Sequence, residues 1–274
     1  PEQGLAFTKD LIRAWENDPL VSVAVEPHAV YTCSPDLLRA CNEVAEGYQV
    51  PMIIHLSESE DEVAQVKERY STSPVMHLEK LGLLTPHLIA DHCVVLDDEE
   101  MDLLAERGVR VVHNPESNMK LASGVAPAVE LLDRGVIMGL GTDGCASNNN
   151  LDMFGEMDTA AKLHKVYRLD PTVMGARTVA QLAVRGGSKV LGLENQVGCL
   201  EPGKKADIIG LDLDRPHLTP LYNIYSHLVY AASAADVTLN IINGRVVMRN
   251  RELLTLDVER IMADVRAIAK RIKQ

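Results

Sequence analysis

The sequence has no excess of positive charge, no long hydrophobic run and no paired cysteines, and each absence argues against a class of function. Lys and Arg number 27 against 39 Asp and Glu, a formal net charge of −12. Phosphate contacts need a basic face, so this balance argues against nucleic acid as a partner and against anchoring on anionic lipid. The apolar runs are short, strand-like pieces, far below the roughly 20 residues needed to span a bilayer. No basic-then-apolar secretory signal opens the sequence. Cys33, Cys41, Cys93, Cys145 and Cys199 are scattered without a CxxC pair. That argues against a cysteine zinc site and for small buried thiols in a reducing cytoplasm. Internal repeats and low-complexity linkers are lacking too. What remains is an ordinary globular composition, 274 residues with 46% hydrophobic and 24% charged, enough for one large domain or two smaller ones.

Residues 4–16 read as a helix, and Val21–Val25 as a short strand. Ser34-Pro35 has the signature of a helix start, with Ser as N-cap and Pro at the first position. Further strands are expected at 51–54, 88–90, 109–112 and 136–140, with helices from about Glu58, over 74–82, 97–107 and 127–134, and two or three more up to Gly192. These strands are near-continuous apolar runs, the pattern of parallel strands buried on both faces. Repeated βα units of this length fit a TIM-type barrel or an open doubly wound sheet. About five units are countable where a closed barrel needs eight, and no strand precedes the first helix. Either the sheet is open, or about three units precede Pro1 in a longer protein. After Gly198 the pattern changes to a small β region. Val237–Ile242, Asn243-Gly244 and Arg245–Met248 read as a hairpin with a type I′ turn, and 257–273 as a closing amphipathic helix.

In a parallel barrel the chemistry sits at the carboxyl ends of the strands. Those ends read Glu26-Pro27-His28, His55-Leu56-Ser57-Glu58, Asp91-His92-Cys93, His113-Asn114-Pro115 and Gly141-Thr142-Asp143-Gly144. Four of the nine histidines (28, 55, 92, 113) stand at strand ends, and Asp143 takes the fifth place. Singly, each is as well explained as a structural histidine or a turn-forming aspartate. Jointly, imidazoles and a carboxylate converging on one rim match the donor preferences of zinc or iron. Glu58 follows His55 by three residues and can turn back over the rim as a proton shuttle; the plain alternative is a first-turn glutamate that complements a helix dipole. Glu60, Asp61 and Glu62 fit that plainer role. The polar run 114–121 reads as a loop that either lines a substrate pocket or shapes the rim. Ser147-Asn148-Asn149-Asn150 reads as a cap for a helix starting near Leu151.

These segments resemble the amidohydrolase superfamily and, within it, the 5-methylthioadenosine/S-adenosylhomocysteine deaminases. The resemblance is carried by Pro27-His28 with Cys33-Ser34-Pro35, by Ile54–Glu58, by Asp91-His92-Cys93, by His113–Leu121 and by Gly141–Asn149. Gly203-Lys204-Lys205-Ala206-Asp207 is similar to the start of that family's composite β domain. The resemblance implies that His55 and Asp143 are metal ligands and that Asp143 also handles protons. Glu58 matches a glutamate that contacts the purine and shuttles a proton, His92 a histidine that orients the attacking water, and His28 a substrate-binding histidine. The implied cofactor is one divalent metal, zinc in the first place and iron in the second. The implied reaction is hydrolytic deamination of an adenine nucleoside to the inosine-type product and ammonia.

One departure is large. The family's first strand ends in a His-x-His pair that supplies two metal ligands, and no His-x-His occurs in this chain. A substrate-binding glutamate and an arginine of the family's early segment are missing too. The expected organisation is therefore the C-terminal portion of a (β/α)8 barrel over 1–195, part of a composite β-sandwich domain over 196–255 and a closing helix over 256–274. The expected partners are a small nucleoside and either an N-terminal segment or further copies of the chain. Two other readings stay open: another amidohydrolase, such as a guanine or cytosine deaminase or a triazine-type chlorohydrolase, or a non-catalytic half that pairs with another chain.

Overall fold

The computed structural model describes residues 2–272. Its helices are α1 (Glu2–Trp15), α2 (Pro35–Tyr48), α3 (Glu60–Tyr70), α4 (Pro74–Lys80), α5 (Asp98–Arg107), α6 (Pro115–Lys120), α7 (Ala128–Asp133), α8 (Met153–Arg168), α9 (Ala176–Gln181), α10 (Gly187–Val190), α11 (Ile224–Tyr230) and α12 (Val258–Ile272). Between and after them run β1 (Met52–Leu56), β2 (Leu88–His92), β3 (Arg110–His113) and β4 (Met138–Leu140), then β5 (Ile208–Leu211), β6 (Val237–Ile242), β7 (Arg245–Arg249) and β8 (Glu252–Leu253). None of the described helices is long and apolar enough to cross a membrane.

β1 to β4 form one parallel sheet in sequence order, each joined to the next through helix. Leu56 pairs with His92, Asp91 with Val112 and His113 with Leu140, so all four strands end at one level. β1 and β3 alternate between fully and partly buried residues. The expectation of burial on both faces thus holds only in part for them: one face is sealed by helices and the other is less enclosed. Ile54, Leu56, Leu88, Leu104 and Leu131 are completely or almost completely buried in a continuous core. Each such side chain stabilises the fold by about 1.5–3 kcal/mol relative to exposure.

Local signals explain most helix starts. Ser34 and Ser73 accept from Leu37 N and Met76 N, each with proline in the first turn. Asp97 and Glu100 close a reciprocal capping box. The hairpin β6–β7 turns at Asn243 (φ 46°) and Gly244 (φ 79°), the type I′ geometry expected from the Asn-Gly pair. Together β5 to β8 make a second, antiparallel sheet.

Three expectations are corrected. The strand at Val21–Val25 does not form; only Val25 and Ala29 make parallel bridges, to Met52 and His55. Pro27 stands between them and has no amide hydrogen to donate, which interrupts the ladder. The polar run after β3 is not a loop but helix α6, which Pro115 starts with a φ already suited to a helix. Ser147–Asn150 does not supply the cap of α8, because Asp152 does, accepting from Phe154 N at 2.9 Å. The closing helix spans Val258–Ile272, and the last residue expected in it, Lys273, lies outside the described residues.

His113, at the end of β3, is 1% exposed and faces His164 of α8, with the two Nε2 atoms 3.0 Å apart. One ring must donate and the other accept, so both cannot be charged. Burial pushes the pKa of His113 down to about 3 and that of His164 down to about 4. The folded state therefore binds fewer protons than the unfolded chain, whose histidines titrate near 6.5, and stability rises with pH across that interval. The protein is expected to lose roughly 2 kcal/mol per histidine between pH 7.5 and pH 5, and His164→Asn is expected to flatten this slope. Urea unfolding at the two pH values measures it.

Candidate metal centre

His55, His92 and Asp143 come together at the carboxyl ends of β1 and β2 and after β4, and one donor atom from each lies within 4.8 Å of the other two. The His55 and His92 rings stack with centroids 5.5 Å apart. This meeting requires unusual backbone. His92, Cys93 and Asp143 have φ of 71°, 49° and 60°, in the left-handed region where a side chain is strained by about 1–3 kcal/mol. The left-handed turn at His92 lets a strand-end side chain swing in beside His55. Asp143 is reached through Gly141, where any Cβ would overlap Asn114 Oδ1 and lie 2.7 Å from Val112 Cγ1. Only glycine lets the chain leave β4 along this path.

Each donor is oriented by a hydrogen bond on its far side. His55 Nδ1 lies 2.6 Å from the His28 carbonyl oxygen, which can only accept, so the proton sits on Nδ1 and Nε2 is left with a free lone pair. His92 Nδ1 donates to Asn118 Oδ1 at 2.8 Å, with the same consequence for its Nε2. Asp143 accepts from Ser117 Oγ (2.7 Å) and Ser147 Oγ (2.6 Å) on one oxygen and from Gly144 N (2.6 Å) on the other. Burial pushes the Asp143 pKa up, but these hydrogen bonds and the nearby His92 outweigh it and hold the carboxyl below its ordinary value. Two imidazoles, each with its Nδ1 engaged, and one ionised carboxylate are a donor set suited to zinc. The residues present therefore fit a divalent metal.

Glu58 lies before Ser59, the N-cap of α3, so it is not a first-turn residue; Glu60, Asp61 and Glu62 are. Its Oε2 is 3.9 Å from His92 Nε2, too far for a direct hydrogen bond, and its Oε1 accepts weakly from Ser123 Oγ at 3.4 Å. Glu62 has a role that the sequence did not reveal. It is buried, and its Oε2 accepts from the Glu58 backbone N–H at 2.7 Å, which pins the turn carrying Glu58. Burial pushes the Glu62 pKa up to about 7. His28 is exposed beside the cluster, its ring centroid 5.0 Å from that of His55 and its Nδ1 2.8 Å from Thr32 Oγ1. Asp91, paired in register with His55, is pushed up to about 7 by burial and then by Glu26, Asp143 and Glu58, against the opposing effect of His55.

His113 does not join the set; it is occupied with His164 in the core. Ser117, Asn118 and Ser147, which the sequence offered only as members of polar runs, hold Asp143 and His92. Of the two readings of 114–121, shaping the rim is the one these contacts show. Their signal was adjacency: Ser117-Asn118 in one short helix reaches two different strand ends.

A parallel sheet whose carboxyl rim gathers two imidazoles and a carboxylate defines an α/β protein with a candidate metal centre. The sequence pattern of the amidohydrolase family matches residues 1–247, and the chain belongs to that family. It is 60% identical to a 5-methylthioadenosine/S-adenosylhomocysteine deaminase of Syntrophobacter fumaroxidans over 99% of this chain and 62% of the relative. With a deaminase of the same description from Syntrophus aciditrophicus it shares 53% identity over 100% of this chain and 62% of the relative. An adenosine deaminase from Xanthomonas campestris with bound zinc superposes with a TM-score of 0.97 at 40% identity, over 99% of this chain and 62% of that one. Atrazine chlorohydrolase from Arthrobacter aurescens complexed with zinc superposes at 0.90 and 28% identity, over 97% and 59%. The chain thus spans about 62% of the length of these curated relatives.

Asn118→Ala removes the partner that fixes the His92 ring. Loss of such an orienting hydrogen bond typically costs about 10–100-fold in metal affinity. A zinc titration against a chromogenic chelator is expected to show a loss in that range, with the fold retained by circular dichroism.

Proposed function

We propose that this chain carries the C-terminal portion of a zinc-dependent deaminase of adenine nucleosides, of the 5-methylthioadenosine/S-adenosylhomocysteine type. The observation that carries the reading is the cluster of His55, His92 and Asp143 with the Glu58 carboxylate beside it. His55 and Asp143 would hold the metal, with iron as the alternative ion. A divalent cation there supplies a Lewis acid that makes water a nucleophile at neutral pH.

The side chains divide the remaining work. Asp143, kept ionised by its three hydrogen bonds, takes a proton from the attacking water. His92, fixed by Asn118, orients that water through its free Nε2. Glu58, on a turn pinned by Glu62, delivers a proton to the ring nitrogen as water adds to the carbon bearing the amino group. The proton taken by Asp143 passes to the amino group, which leaves as ammonia, and the added hydroxyl returns its proton to Glu58 as the inosine-type product forms. His28, exposed beside His55, contacts the nucleoside.

The proposed organisation is an arc of a (β/α)8 barrel over 1–195, part of a composite β domain over 196–255 and a closing helix. Two observations support a covering segment or a further copy of the chain. The relatives are longer than the matched region. The apolar stripe of α12, Val258, Ile261, Met262, Val265, Ile268 and Ile272, is 38–79% exposed. The five free cysteines suit a reducing cytoplasm.

The test is ammonia release from 5-methylthioadenosine and S-adenosylhomocysteine, by this chain alone and by its fusion to the remaining part of the Syntrophobacter relative. Turnover is expected in the fusion, with little in the chain alone. Asp143→Asn and Glu58→Gln should each lower it by about 10²–10⁴-fold. A fusion that ignores adenine nucleosides but converts guanine, cytosine or a chlorotriazine would overturn the substrate class.

A further inference from the structure

Helix α6 carries Ser117 and Asn118, the partners of Asp143 and His92, yet it does not fix its own start. The first amides of a helix need acceptors from outside it, and Asn114, in the N-cap place, makes no side-chain hydrogen bond to them. An acceptor comes instead from another helix. Glu156 of α8 accepts from the Glu116 backbone N–H on Oε2 at 3.2 Å. Its other oxygen, Oε1, accepts from Asn148 Nδ2 at 2.6 Å. Each contact stands beside a group that holds a metal donor. Glu116 directly precedes Ser117 and Asn118, and Asn148 directly follows Ser147, the second hydroxyl on Asp143.

One carboxyl group thus joins the two segments that orient His92 and Asp143. Neither segment is a long element: α6 has six residues, and 143–150 is a run of turns. Glu116 adds a second link to α8, accepting from Thr159 Oγ1 at 3.1 Å, but that link ends on side chains. The Glu156 bond grips the backbone of α6 itself. Glu156 is completely buried. Burial, reinforced by the Glu116 and Asp143 carboxylates, pushes its pKa up to about 7 against the effect of its donors. Burying a carboxyl costs stability, so packing alone gives no reason to place one here. The other polar tie of α8, from His164 to His113, lies about two turns further along the helix and runs to β3 instead.

We propose that Glu156 is a positioning residue of the metal centre, acting through Glu116 on the His92–Asn118 pair and through Asn148 on the Asp143–Ser147 pair. The inference rests on the metal cluster and not on the nucleoside reading. Glu156→Gln keeps the volume of the side chain but turns one of its two acceptors into a donor. That donor faces an N–H group, so one of the two ties is lost. The holder on that side then drifts, and the His92 ring or the Asp143 carboxylate drifts with it.

Two measurements on this chain test it, with the fold of each variant checked by circular dichroism. The first needs no metal: hydrogen exchange at the His92 ring N–H that donates to Asn118, followed by nitrogen–proton NMR and assigned by its loss in His92→Gln. Exchange is expected to be at least about fivefold faster in Glu156→Gln, the equivalent of one ordinary hydrogen bond. The second is zinc affinity against a chromogenic chelator, expected to fall about tenfold, the lower end for loss of an orienting partner. Glu156→Asp keeps the charge but withdraws it by one methylene, and should behave like Glu156→Gln. His164→Asn loosens α8 elsewhere and should leave both readings unchanged. In Asn118→Ala, where the His92 ring has already lost its partner, Glu156→Gln should cost less zinc affinity than it does alone. Unchanged exchange in both Glu156 variants overturns the proposal, and so does unchanged zinc affinity where the parent chain binds zinc. An equal loss in His164→Asn also overturns it, by reducing the effect to general loosening of α8. A parent chain that binds no zinc counts against the metal reading, and the exchange rates alone then decide the role of Glu156.

Discussion

The rim of the parallel sheet is held by hydrogen bonds to groups that its own strands cannot orient. A strand end delivers a side chain to a level but not to a point. Here His92 and Asp143 reach a common point only by adopting left-handed backbone, at a cost of about 1–3 kcal/mol each. Helix α6 secures both: Ser117 bonds to Asp143 and the next residue, Asn118, to His92. The helix is itself tied to α8, since Glu116 accepts from Thr159 at 3.1 Å and its N–H donates to Glu156 at 3.2 Å. Asn148 donates to Glu156 at 2.6 Å and brings the segment after Asp143 into the same network. The line of dependence runs from α8 through α6 to the donors, so the geometry of the centre is a property of the packed helices as much as of the sheet.

The same rim separates its carboxyls electrostatically. Asp91, Glu62 and Glu156 are each pushed up to about 7, with burial the largest cause. Asp143 is less deeply buried than these and is held low, because three donors converge on it. Shallower burial and the N–H and O–H groups aimed at it together keep this carboxyl ionised. That difference suits Asp143 to a cation and to accepting a proton. Glu62 serves as an acceptor for backbone without carrying a full charge into the core.

The sequence disclosed the frame and the strand-end residues because both are written in local patterns. Apolar runs, the Ser-Pro start and the Asn-Gly turn map directly onto β1 to β4, α2 and the β6–β7 hairpin. The His55, His92 and Asp143 positions were legible because a parallel sheet aligns its carboxyl ends. What was not legible depends on contacts between distant segments. Val21–Val25 has the composition of a strand, but Pro27 interrupts its pairing to β1. His113 stands in the same place in its unit as His55, and only the position of His164, 51 residues later, draws it into the core. Ser117 and Asn118 look like loop residues until α6 sets them beside two strands at once.

Helix α12 shows how a local pattern can be satisfied while its physical purpose is not. Its apolar residues recur at helical spacing, yet none of its described residues is buried. A 15-residue helix gains little from propensity in water and draws most of its stability from packing an apolar face. The stripe from Val258 to Ile272 is wide enough to supply that packing, and its sequence is written for a surface that the described residues do not provide. The less enclosed faces of β1 and β3 pose the same demand at the other sheet.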